Sequence, residues 1–194
     1  TLDATYNTDF SQVDADEERV NLTRFPLFFP EKRDFFMENA SLFEFGDISN
    51  YLYRMGPSRY SRSFTMFHSR RIGLENGQQI PITGGARLSG KVGDFDVGYL
   101  NMMAEGTENV PRTQYNVSRI RGNFLKKSNV GAILVNRNSN GKDRDHRSMG
   151  VDLNFNINKL LIYSYLAQTA NPDADGDNLA GRGGRAGGGK KGGS

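Results

Sequence analysis

The chain has 194 residues, enough for one domain of ordinary size, but only 36% are apolar and 23 are glycine, a lean composition for a compact soluble core. Cysteine is absent, which excludes disulfide staples, zinc–thiolate sites and cysteine nucleophiles. The net charge of +3 is unevenly divided. Residues 1–50 carry 11 acidic against 4 basic side chains and the remainder 21 basic against 11 acidic, so the two parts can attract each other or face different partners.

Residues 1–24 offer little to bury beyond Phe10, Val13, Val20 and Leu22, and predict a short strand followed by an irregular acidic segment. The next stretch, "FPLFFPEKRDFFMENASLFEFGD" (25–47), places seven Phe around the charged cluster Glu31-Lys32-Arg33-Asp34. Pro26 and Pro30 confine its start to extended or turn conformations. Beyond Pro30 the spacing of Phe35, Phe36, Asn39, Leu42 and Phe43 predicts a helix of about three turns with one apolar face. Glu31 falls in its first turn, and Gly46 is its stop.

From residue 64 onward the period is two. Ala86, Leu88, Gly90 and Val92 alternate with Arg87, Ser89 and Lys91, and Gly93-Asp94 signals a turn into Phe95, Val97 and Tyr99. "QYNVSRIRGNFL" and "NVGAILVNRN" form a further pair, with an apolar phase slip near Ser118-Arg119 that predicts a bulge. In "SMGVDLNFNIN", Met149, Val151, Leu153, Phe155 and Ile157 share one face, and Gly150, Asp152, Asn154, Asn156 and Asn158 the other. "LLIYSYLAQ" follows. Hairpins joined by short turns, with longer polar loops at 104–112 and 138–147, predict a mainly β protein. Its architecture is an antiparallel meander of about eight strands, either an outer-membrane barrel or a soluble barrel or sandwich. No run of 18 apolar residues predicts a transmembrane helix. No signal-peptide pattern stands ahead of Thr1, as in a mature chain, an excised fragment or a cytoplasmic protein. Residues 169–194 have almost nothing to bury and read as a flexible Gly/Lys/Arg-rich tail. The expected organisation is therefore an acidic and Phe-rich part over 1–50, a β meander over 51–168 and the tail.

Several groups invite chemistry. Glu31, Asp34, Glu38 and Glu44 could supply the paired carboxylates of a glycosidase, since residues three or four apart share a helix face. The same groups equally make local ion pairs and N-terminal helix charges. Phe35 and Phe36 with Arg70 and Arg71 are candidate ligand-binding residues. His68 and His146 stand apart, without a nucleophile-elbow pattern or a metal-ligand spacing, and read as polar strand or loop residues. Asn171, Asp173 and Asp175, before the turn residue Gly176, match the first half of a calcium loop. Arg182 occupies the twelfth position, where the bidentate glutamate belongs. The segments "SRRIG", "RIRGNFLKK" and "GRGGRAGGGKK" suit nucleic acid through charge and arginine stacking, but Arg87, Lys91, Arg119 and Arg121 alternate with apolar residues, which a barrel interior or a solvated sheet face accommodates without nucleic acid. No cofactor is called for.

"TDFSQVDADEERVNLTRFPLFFPEKRDFFMENASLFEFG", with "FHSRRIGL" and "IPITGGARLSGKVGDFDVGYLNMMAE" downstream, resembles a bacterial family of uncharacterised outer-membrane proteins. The resemblance covers roughly residues 1–168 and is most specific from Asp9 to Phe45. Members of that family carry an N-terminal domain similar to family-9 carbohydrate-binding modules, followed by a long region expected to form a β-barrel. The chain resembles an internal fragment of it, without the binding module and with fewer strands. The resemblance implies a place in the bacterial outer membrane or at the cell surface. It also implies carbohydrate and the lipid bilayer as partners, and a role in glycan binding or uptake without catalysis. It supplies no catalytic residues to carry over. The rival reading is a soluble glycoside hydrolase. A second alternative is a nucleic-acid-binding protein acting through its tail, and a second copy of the chain is a further candidate partner.

Overall fold

The structure is a computed structural model. It describes residues 1–8, 31, 33–46, 66–75, 78–106, 110–125, 127–140, 145–157, 160–170 and 181–190. The acidic run, Pro26, Pro30 and the calcium-loop candidates Asn171, Asp173 and Asp175 lie outside these residues.

The protein is mainly β, as its alternation predicts. Strand β1 (Leu2–Thr8) is followed by short helical pieces and a small ribbon of β2 (Leu74–Glu75) and β3 (Gln78–Gln79). Next comes a meander of β4 (Ile82–Val92), β5 (Phe95–Ala104), β6 (Thr113–Phe124), β7 (Ser128–Ser139), β8 (His146–Ile157), β9 (Leu160–Ala170) and β10 (Gly181–Lys190). These seven strands pair antiparallel in chain order, and β1 adds to the free edge of β4, from Leu2 opposite Leu88 to Thr8 opposite Ile82. The sheet is open: β1 and β10 bound it, and no pairing joins them among the described residues. The β4–β5 connection is a two-residue turn in which Gly93 has φ +60° and Asp94 does not have positive φ. That combination fits a type II′ turn, whose twist matches that of the flanking strands.

The pleat leaves apolar side chains exposed on one face and buries charge on the other. One face carries an exposed apolar residue on each strand from β4 to β9: Leu88 (51%), Phe95 (51%), Ile120 (46%), Leu134 (42%), Val151 (52%) and Leu166 (60%). The opposite face buries charge, with Arg87, Arg119 and Asp152 all at most 3% exposed. We call this the inner face. The apolar row Met149, Val151, Leu153, Phe155 and Ile157 is thus the outer one, and Asp152 and Asn154 are covered. The main core lies between the inner face and the segments laid across it. Phe36, Leu42, Phe43 and Ile72 pack there on Ile82, Leu100, Met102, Val117 and Ile133.

Three expectations change. The three-turn helix is a single turn, α1 (Asp34–Met37), followed by Asn39 at φ +53° and a 3-10 turn Ala40–Phe43. Arg87 donates Nη1 to the carbonyl oxygens of Phe35 and Glu38, drawing into a tertiary contact acceptors that a longer helix would use internally. The bulge expected near Ser118-Arg119 is absent, because β6 pairs without a break to β5 and β7. The apparent slip arises because Val117 is buried on the inner face while Ile120 is exposed on the outer one. The irregularity instead falls between Ile82 and Gly84 of β4. Finally, residues 181–190 of the expected tail pair along β9 as β10, from Gly181 opposite Thr169 to Lys190 opposite Leu160. Ladder hydrogen bonds need only backbone, so an edge strand can template a segment with almost no apolar side chains.

Candidate functional site

The charged and aromatic residues singled out in the sequence come together as a strap, residues 33–46, laid over the inner face. Its beginning is organised by Arg33, which is buried although charged. The guanidinium grips Glu31 with two parallel bonds, Nε to Oε1 at 2.8 Å and Nη2 to Oε2 at 2.7 Å. The remaining donors reach the carbonyls of Ile72 (2.8 Å) and Ser69 (2.8 Å), and the cation lies 4.2 Å from the Phe36 ring centroid. Arginine can satisfy this arrangement because its planar fork offers five donors, whereas lysine has a single ammonium. Ser69 Oγ donates to Glu31 Oε2 at 2.7 Å. Burial pushes the Glu31 carboxyl up, but the hydrogen bonds and charge of Arg33, with the bond from Ser69, outweigh it and hold the group below its ordinary value.

Arg87 is the second clamp. Besides the two strap carbonyls, its Nη2 meets Glu38 Oε2 at 2.7 Å and Asp3 Oδ2 at 2.8 Å, and its charge lies 5.2 Å from the Phe35 ring centroid. Here the acidic N-terminal part and the basic sheet meet directly. Asn39 Nδ2 donates to Ser89 Oγ at 3.2 Å. The far end rests on Arg119 and Asp152, a bidentate pair at 2.6 and 2.9 Å whose side chains are both 1% exposed. Asp152 Oδ2 also accepts the Gly46 backbone N–H at 3.3 Å, and Phe45 packs edge-on to Tyr165 with Arg119 beside its ring.

Of the candidate acids, Glu31 and Glu38 are held by different arginines, Asp34 sits exposed in the first turn of α1, and Glu44 is half-buried where the 3-10 turn ends. The direction of the Glu31 shift is opposite to what a general acid requires, because a catalytic acid must keep its proton near neutral pH. Phe35 and Phe36 pack edge to face with centroids 5.2 Å apart, and Phe36 is buried, so they fill the interface and display no aromatic platform. Arg70 is buried, which lowers its pKa, whereas Arg71 is exposed at the end of the same 3-10 turn. His68 precedes that turn without capping it by side chain, and His146 starts β8 opposite Arg137. No cluster of three His, Asp or Glu able to hold a metal occurs among the described residues.

The residues that organise the strap most, Arg87, Arg119 and Asp152, are not among the candidate catalytic or ligand-binding residues of the sequence. Their signal was present as charges at mid-strand positions in phase with small or polar neighbours. In the segment "RIRGNFLKK" considered for nucleic acid, Arg119 is engaged as above and Arg121 meets Asp96 at 3.2 Å.

Residues 1–186 match the family described as a domain of unknown function, DUF5916. No curated protein and no solved structure matches the chain.

Proposed function

We propose, for a chain that belongs to the DUF5916 family, that its sheet is a membrane wall of the outer-membrane barrel type, with the apolar outer face toward lipid and the inner face toward a polar interior. The observation that carries this reading is the apolar outer face, an exposed Leu, Val, Ile or Phe on every strand from β4 to β9, behind an inner face that buries ion pairs beside its core. In water such a face costs about 25 cal/mol for each Å² of apolar surface left exposed, and a contiguous patch of this kind marks a surface meant for something apolar. Strands β4 to β9 have 10 to 12 residues, in line with the roughly 9–11 that cross a bilayer at a tilt.

Two further features support the reading. The apolar band gives way on the outer face to a polar row, Asn101, Asn116, Asn136 and Arg147, each opposite the next across β5 to β8. Asn116 Oδ1 accepts from Tyr99 Oη (3.0 Å) and Asn101 Nδ2 (2.6 Å), so this row forms hydrogen bonds along the sheet as a headgroup boundary needs. It lies toward the longer connections 105–112 and 140–145, while the apolar band lies toward the short turns at 93–94 and 125–127. Inside, Asp96, Arg121 and Asn123 form a half-buried network that presents donors and acceptors suited to a polar solute such as a saccharide. The role that follows is glycan binding or uptake at the cell surface.

The test uses the absence of native cysteine. Single cysteines at Leu134 and Val151, labelled with a polarity-sensitive fluorophore, are expected to be quenched by a lipid-borne quencher in phosphatidylcholine vesicles. A label at Tyr163 on the inner face is expected to respond to a water-soluble one. A chain that stays monomeric in detergent-free buffer, with both outer labels open to the aqueous quencher, would overturn the proposal.

A further inference from the structure

We infer that the inner face is a built receptor for the chain's own Phe-rich strap, so that residues 33–46 are a latched plug over that face, separable from the wall. The inference rests on the wall reading for its consequence, occlusion of the interior, but its geometry stands independently.

The seat is a trough. Register aligns Ser89, Gly98, Arg119, Ile133, Gly150 and Ala167 in one row across β4 to β9, on the inner face. Two of these glycines are notches. A Cβ on Gly98 would lie 2.7 Å from Leu42 Cδ2 and 3.0 Å from Phe43 Cζ, and one on Gly150 would lie 2.5 Å from Phe45 Cζ and 2.9 Å from Met66 Sδ. Neither Gly98 nor Gly150 has a positive φ, so the backbone does not require glycine at either position. What requires it is the close approach of the strap. A third, Gly131 in the adjoining row, leaves room for the Arg119 guanidinium, whose atoms would stand 2.8–2.9 Å from a Cβ there. The strap crosses the strands along this trough, from Phe35 at Arg87, through Asn39 at Ser89 and Leu42 at Gly98, to Phe45 at Gly150 and Gly46 at Asp152.

Yet no β-ladder joins the strap to the sheet among the described residues. The strands pair wholly with one another, and the strap is held by side-chain clamps and packing. Segments attached in this way open at lower free energy than the ladders beneath them. Glycine inside a strand weakens it, so notches with no backbone role are expected where another segment must sit close.

The experiment reads accessibility. In an otherwise native chain, a cysteine replacing buried Leu42 is expected to react with a maleimide at least about tenfold more slowly than one replacing exposed Met37. Filling the trough with Gly98→Val and Gly150→Val is expected to bring the two rates together. The far-ultraviolet strand signal and the labelling at Leu134→Cys should be unchanged. Arg87→Gln, which loosens one clamp without adding bulk, is expected to raise the Leu42→Cys rate several-fold with the same sheet signal. Persistent slow labelling in both backgrounds would show that trough and clamp do not hold the strap. Loss of the strand signal in both would make the strap part of the wall's folding unit. Either result overturns the inference. Water exposure of the Leu134 label in vesicles, with strap release as expected, would instead sink the lipid reading and leave the plug in place.

Discussion

Arg119 and Asp152 show how much one buried pair decides. Both side chains are sealed, and the carboxylate also takes a strap N–H. Removing one charge leaves the other buried without compensation, so Asp152→Asn is expected to cost about 3–5 kcal/mol, read as a lowered unfolding midpoint. Replacing both partners by apolar residues of similar volume should cost much less. Glu31 gives a pH dependence whose sign follows from its lowered pKa. Because the folded value lies below the unfolded one, the Arg33–Glu31 contact contributes fully above the ordinary carboxylate range. It is lost as pH falls through the folded value. The ratio of Leu42→Cys to Met37→Cys labelling, in which the thiol's own pH dependence cancels, is therefore expected to rise only in acid, and Glu31→Gln should flatten that component. A rise of this ratio between pH 6 and 8 would contradict this assignment.

At the level of elements, the hairpins are local and the strap is not. Gly93-Asp94 between two alternating runs was legible because a two-residue turn demands a glycine of positive φ. Gly93→Ala, at φ +60°, is expected to cost about 1 kcal/mol in thermal or chemical unfolding. The strap was misread as a long helix because its apolar spacing fits a period of 3.6, and that spacing is indeed used, since Phe36, Leu42 and Phe43 all reach the core. The helix stops before Asn39, whose φ is +53°, where Arg87, nearly fifty positions away, takes up the Phe35 and Glu38 carbonyls. Truncation of Leu42 to Ala should cost about 2–5 kcal/mol if the strap stays docked over the vacated space, and less if it shifts.

For the molecule as a whole, the sign of the pleat separates the readings. Leu134→Arg on a lipid-facing wall is expected to cost about 2–4 kcal/mol near the bilayer midplane, measured by urea unfolding in vesicles. The same change on a surface facing water should stay within about 0.5 kcal/mol. The edges β1 and β10 bear on the same question. An unpaired ladder is intolerable in hydrocarbon, so a membrane-inserted sheet needs its edges paired by further strands or by another copy of the chain.

The sequence alone determined the alternation, the order of the meander strands, the turn at Gly93 and the two-faced character of β8. Each of these depends on neighbours within a few residues. Only the tertiary structure decided which face is covered, because period two says that two faces differ and never which one meets a partner. It also decided that Gly98 and Gly150 are notches and that Arg87 and Arg119 are clamps. Their roles depend on a segment about fifty to a hundred positions earlier in the chain, and no local pattern encodes that meeting.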